Sequence, residues 1–164
     1  GQVRAAYAEA VAALARELAW DEWGTCNWCG LYSPGRTNTI QCDFSCMISS
    51  PQFTEFALPN LRHEAAHYDH VTYHLDGPQA QHHLPAVSSV PGIEVIQYVP
   101  VPGQAPEHVE SVYRQALKLG KAVVRSVTPE QALTLWRQYP HARMVFDIEL
   151  KHRRQAEKLL AAFH

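Results

Sequence analysis

The sequence predicts an α/β fold of parallel βα units, a partial (β/α)8 TIM barrel supplying about five of the eight units. Three observations carry this expectation. Five short apolar runs are each followed by a segment of helical periodicity, the order that produces a parallel sheet with crossover helices. The runs from Gln41 and Tyr73 onward stop abruptly in polar side chains, as strands buried on both faces do where they emerge at their C-terminal ends. The chain has 164 residues, short of the roughly 200 that a complete barrel needs.

Each element has a local reason. Val3, Tyr7, Val11, Leu14 and Leu18 recur at helical spacing over residues 2–19. A Gly/Pro/Asn-rich passage over residues 30–38 leads to a first strand at 39–42. Ser49-Ser50-Pro51 caps and starts a helix that carries Phe53, Phe56, Leu58 and Leu61 on one side. Pro59 inside that pattern kinks or restarts it. A second strand at 71–75 passes through Asp76-Gly77-Pro78 into a short helix ending near Val90. The third strand, 93–99, precedes a helix at 106–119 that Gly120 terminates. The fourth, 122–127, meets Thr128-Pro129-Glu130-Gln131, a hydroxyl cap followed by a first-turn proline. The fifth, 144–148, is followed by a closing helix at 151–163. A small open five-stranded α/β domain is the structural alternative, but no glycine-rich phosphate loop follows the first strand.

Composition narrows the function classes. With 46% hydrophobic and 18% charged residues, the chain reads as a single domain, 1–164, with enough apolar material for a sizeable core. A net charge of −2 provides no electrostatic footprint for nucleic acid or an anionic membrane. No apolar run approaches the roughly 18 residues of a membrane span. The first residues lack the pattern of a signal peptide, so the expected location is cytoplasmic.

The motifs Gln41-Cys42-Asp43-Phe44-Ser45, Met47-Ile48-Ser49-Ser50-Pro51-Gln52-Phe53, Phe56-Ala57-Leu58-Pro59-Asn60-Leu61 and Tyr73-His74-Leu75-Asp76-Gly77-Pro78 occur in that order. Ile96-Gln97-Tyr98-Val99-Pro100 and Leu119-Gly120-Lys121 continue the series. Together they resemble the C-terminal half of the uroporphyrinogen-decarboxylase-like superfamily, which includes zinc-dependent corrinoid methyltransferases and is related to cobalamin-independent methionine synthase. The resemblance covers most of residues 28–150. Members are (β/α)8 barrels about twice this length, so it implies a missing N-terminal half, lost from a fragment or supplied by another chain.

In the methyltransferase branch a histidine and a cysteine two positions apart at a strand end, with a later cysteine, bind zinc. Here His74 stands at the histidine position and Asp76 at the cysteine position. Imidazole and carboxylate are zinc donors, but fewer thiolates give a harder ion suited to water, hydroxyl or carboxylate substrates. His74 and Asp76 are therefore candidate metal ligands and, with Asp43, candidate catalytic residues. The competing readings are a metal-free substrate site and a hydrogen-bonded pair that orders a loop. Period-two geometry lets only one of Cys42 and Asp43 face inward, and Asp43 is favoured as acid, base or acceptor. Gln41, Gln97, Tyr98 and Arg125 are candidate substrate-binding residues at strand ends, with packing for Tyr98 and a rim salt bridge for Arg125 as alternatives. Asp147 occupies a later strand end.

Two further clusters compete. Cys26-x-x-Cys29 with Cys42-x-x-x-Cys46 has the composition of a four-thiolate zinc site, set against a redox disulfide or ordinary reduced thiols. His63, His67 and His70 fall at helical spacing, as a metal clamp or as an exposed polar face. His83 follows the Asp76-Gly77-Pro78 turn and leans toward the pocket.

Two function classes follow. The first is an enzyme, with methyl transfer at the His74/Asp76 pocket, zinc and a corrinoid methyl donor or corrinoid protein as its implied cofactors and partner, and a small-molecule substrate. Decarboxylation of an anionic tetrapyrrole-like acid is the other enzyme chemistry, although the family places residues for it in the N-terminal half. The second class is a non-catalytic half-barrel binding or assembly module. A half barrel has two open sheet edges, so a homodimer or a complementary half-barrel chain is expected.

Overall fold

The computed structural model describes residues 1–163. It is an α/β structure built on a five-stranded parallel sheet whose strands lie side by side in chain order, as in a barrel wall. The strands are β3 (Thr37–Gln41), β4 (His70–Asp76), β5 (Ile93–Val99), β6 (Ala122–Ser126) and β7 (Met144–Asp147). Before them come α1 (Gln2–Glu17), α2 (Trp20–Trp23) and a small antiparallel hairpin of β1 (Thr25–Cys26) and β2 (Tyr32–Ser33). Between and after them come α3 (Ser50–Gln52), α4 (Leu58–Ala65), α5 (Leu84–Ser88), α6 (Pro106–Lys118), α7 (Pro129–Gln138) and α8 (Arg153–Ala161). Among the described residues no helix is long and apolar enough to cross a membrane.

Strand periodicity divides the sheet into two faces. Ile40, Tyr73, Leu75, Ile96, Tyr98 and Val123 form one buried cluster with Phe53, Leu61, Leu84, Val87, Val112 and Ala116 of the connecting segments. The alternate residues face the other way, toward the hairpin, the side that corresponds to the inner face of a barrel and is called the inner face below. Each large apolar chain buried in the helical layer contributes roughly 1.5–3 kcal/mol.

Local chemistry starts the helices where expected. Ser49 and Gln52 form a reciprocal capping box, as do Thr128 and Gln131. The helix after Ser49 departs from its expected phase, however. Residues Phe53–Ala57 wind as a π-helical turn before α4 restarts with Pro59 in its first turn. The extra residue rotates the pattern, so Phe53 and Leu58 are buried while Phe56 is 57% exposed.

The edge of the sheet at β3 is closed by its own chain, in contrast to the expectation of two open edges. Arg36 directs its carbonyl toward Asp69 and His70, so Thr37 and Thr39 present their backbone groups outward. Thr37 N–H donates to Thr25 Oγ1 at 2.6 Å, and Thr39 N–H donates to Asn38 Oδ1 at 2.9 Å. Trp28 Nε1–H donates to the Thr39 carbonyl at 3.2 Å. Side chains thus occupy the positions that a neighbouring strand would take.

Candidate functional site

Sheet register brings three of the expected residues into one row. Gln41 is level with His74, and His74 with Gln97. In-register neighbours of parallel strands point to the same face, here the inner one. His74 Nδ1 lies 2.6 Å from Gln97 Oε1. An amide oxygen only accepts, so Nδ1–H is the donor in this contact. Asp76, two residues further along β4, shares this face and is exposed at the rim.

Trp28 completes the wall beside His74, with ring centroids 5.0 Å apart and planes at 60°. Asn27, buried beneath it, donates from Nδ2 to Thr72 Oγ1 and accepts from the backbone N–H groups of Cys29 and Leu31 through Oδ1. Gly30 takes the left-handed conformation, φ 77°, that the tight return to β2 needs. The sequence reading did not include Trp28 or Asn27 in the site. The one available signal was Asn27-Trp28-Cys29-Gly30 itself, a turn sequence containing a large aromatic.

Asp43 opens a 3₁₀ turn, Asp43–Met47, directly after β3. Its Oδ2 accepts from Gln41 Nε2 at 3.2 Å, which ties it to the row, whereas Cys42 packs toward the helical core. The turn is anchored from below by His83, whose Nε2–H donates to the Ser45 carbonyl at 3.0 Å and whose ring stacks on Phe53 with centroids 4.1 Å apart. His83 is therefore a buried support, not a pocket group. Its Nδ1 is buried without a partner. Burial lowers its pKa from the ordinary value of 6.5, with the neighbouring His82 acting in the same direction. Below that value the unfolded chain binds a proton that the folded chain resists, so stability is complete above about pH 6.5 and falls as pH drops through the lowered folded pKa. Urea unfolding between pH 7.5 and 5 is expected to show this loss, and His83→Phe to reduce its slope.

Tyr98 and Arg125 do not join the row. Each follows an inward residue by one position, so each points to the helical side. Tyr98 is buried and exchanges hydrogen bonds with the Gln104 amide. Arg125 Nη2 pairs with Glu110 at 2.8 Å, and its guanidinium lies 4.4 Å from the ring centroid of Tyr113. Both line a cavity of about 590 Å³ between the ends of β5 and β6 and the helices α6 and α7, to which Gln97 of the row also contributes. The Arg125 Nε and Nη1 groups are buried beside this cavity without a hydrogen-bond partner, so the Glu110 pair engages only one arm of the guanidinium. Asp147 is on the inner face, where its Oδ2 accepts from Ser126 Oγ at 3.0 Å.

The metal donors are sparse. Among the described residues, no three His, Cys, Asp or Glu side chains are grouped to hold an ion. His74 Nε2 and the Asp76 carboxylate are two donors of suitable chemistry on one face, whereas a catalytic zinc site uses three protein ligands. This set does not by itself fit the zinc that the resemblance implies. The four cysteines do not converge either. Cys29 Sγ accepts from Thr39 Oγ1 on the inner face, Cys46 Sγ–H is directed to the Asp43 carbonyl, and all four are free thiols. Burial raises the pKa of both Cys29 and Cys42, which keeps them protonated. The histidine clamp is absent because His70 lies on β4, where it pairs with Glu94 at 2.9 Å, while His63 and His67 stay on the α4 side.

No protein-family model, curated protein or solved structure matches the chain.

Proposed function

We propose that the chain is a domain of the uroporphyrinogen-decarboxylase-like kind that acts on a small molecule at the inner rim of β3, β4 and β5, and that its chemistry is methyl transfer with His74 as the proton acceptor. The observation that carries this reading is the row Gln41, His74 and Gln97, in which the Gln97 amide oxygen accepts from His74 Nδ1 and leaves Nε2 outside that hydrogen bond. A neutral imidazole held in one tautomer is a general base suited to neutral pH. In the proposed step, the substrate's hydroxyl, amine or thiol gives its proton to His74 Nε2 and its lone pair attacks the methyl carbon. The donor keeps the electron pair of the broken bond. Gln41 and Asp43 orient the substrate, and Asp76 holds a donor group at the rim. Five strands about 4.8 Å apart make a face roughly 20 Å across, broad enough for a corrinoid donor presented from outside, and no step is assigned to zinc.

Decarboxylation is the weaker reading, since the Arg125 guanidinium that would receive an acidic substrate is engaged with Glu110 on the other face. A non-catalytic module is favoured by one observation, the self-closed edge at β3. The experiment that separates these readings is incubation with methylcobalamin and a panel of alcohol, amine and thiol acceptors. Methylated acceptor formed by the wild type and lost with His74→Ala supports the proposal. No methylated product from any acceptor supports the binding module.

A further inference from the structure

The two edges of the parallel sheet are not equivalent, and the difference points to a partner. At β3 the outward backbone groups are hydrogen-bonded by Thr25, Trp28 and Asn38. At β7, Val123 N–H donates to the Arg143 carbonyl and Val127 N–H to the Asp147 carbonyl. Arg143, Val145 and Asp147 therefore face β6, and the N–H and C=O groups of Met144 and Phe146 project from the free edge. The helical layer is thin at the same edge. Helix α8, which follows β7, has no buried residue, and Leu160 and Trp136 are 64% and 44% exposed.

We infer that β7 pairs antiparallel with β7 of a second copy of this chain, about a two-fold axis at Val145. The charge pattern of the strand specifies the occupant and the register. Reading His141-Ala142-Arg143-Met144-Val145-Phe146-Asp147-Ile148-Glu149, basic residues precede the centre and acidic residues follow it at matching distances. In this register Met144 and Phe146 of opposite copies exchange both backbone hydrogen bonds, while Val145 meets its own symmetry mate. Arg143 lies opposite Asp147, a non-hydrogen-bonded pair in which side chains approach most closely. His141 lies toward Glu149. A two-fold interface must be self-complementary, and this strand is. The blocked edge at β3 prevents head-to-tail addition, so assembly stops at two copies. This inference is independent of the proposed chemistry.

Sedimentation equilibrium at tens of micromolar is expected to give twice the 18.5 kDa chain mass. Arg143→Asp and Asp147→Arg each place like charges opposite one another at both symmetric contacts and are expected to weaken the dimer about tenfold or more. Mixing the two variants is expected to restore the dimer, because every cross-strand contact then joins a carboxylate to a guanidinium. Restoration in the mixture also shows that each variant is folded. In the wild type, the Met144 and Phe146 amides are expected to exchange slowly with deuterium. A monomeric wild type with rapidly exchanging Met144 and Phe146 amides would overturn the inference. So would single variants that dimerise as strongly as the wild type, or a mixture that stays monomeric.

Discussion

Phe53→Ala is expected to destabilise the fold by about 3–5 kcal/mol, the usual cost of truncating a fully buried phenylalanine. Phe53 is 0% exposed and lies at the start of the π-helical turn, where Pro51 and Ser49 fix the approach and the restart at Leu58 fixes the exit. The segment has little freedom to collapse into the cavity left behind. Domains have only about 5–15 kcal/mol of total stability, so one substitution removes a large share. The midpoint of thermal unfolding should fall by roughly 10 °C, at 2–4 °C per kcal/mol for a chain of this size. Phe53 also stacks on His83, which holds the Ser45 carbonyl. The loss should therefore extend to the turn carrying Asp43, seen as faster amide exchange over Asp43–Met47.

The second large effect is expected at His74. Removing a positioned general base typically costs 10²–10⁴-fold in rate, so on the proposed function His74→Ala should lose the proposed methyl transfer by that factor while unfolding near the wild-type midpoint. His74 is only partly buried on the inner face, so truncation leaves no large core cavity. Gln97→Ala retains the imidazole but releases Nδ1, and a smaller loss is expected, with kcat falling more than KM rises. Tyr98→Phe changes the neighbouring strand position on the opposite face and should leave the rate unchanged. This contrast of adjacent positions distinguishes the inner face from the helical side.

Much of the architecture was legible because it rests on local chemistry. The third strand, Ile93–Val99, coincides with its expected bounds, and the boxes at Ser49 and Thr128 start helices where their side chains predict. Phe56 shows the limit of such reading. Its helical spacing placed it with Phe53, but the π-helical turn shifts the phase, and one inserted residue is invisible to a period of 3.6. At the site, the row of Gln41, His74 and Gln97 was readable as strand ends. Alternation places Tyr98 and Arg125 on the other face, since each is one residue out of phase with its inward neighbour.

The edges were less legible still. That β3 would be sealed depended on an indole, a hydroxyl and an amide from segments without strong periodicity. No pattern in those residues announces that they will reach the strand. The Trp28 indole has two consequences at once, because it closes the edge at Thr39 and forms the wall against His74. A side chain that joins fold and site in this way is found only when tertiary contacts are known.

The central claim is that function resides on the inner face around His74 and not in the cavity beside Arg125. Amide and indole shift mapping by two-dimensional NMR during titration with methylcobalamin tests it most directly. The account predicts perturbations at Gln41, His74, Gln97 and the Trp28 indole, with Tyr113 and Arg125 unmoved. Perturbations confined to Tyr98, Tyr113 and Arg125, with the His74 row unchanged, would contradict it.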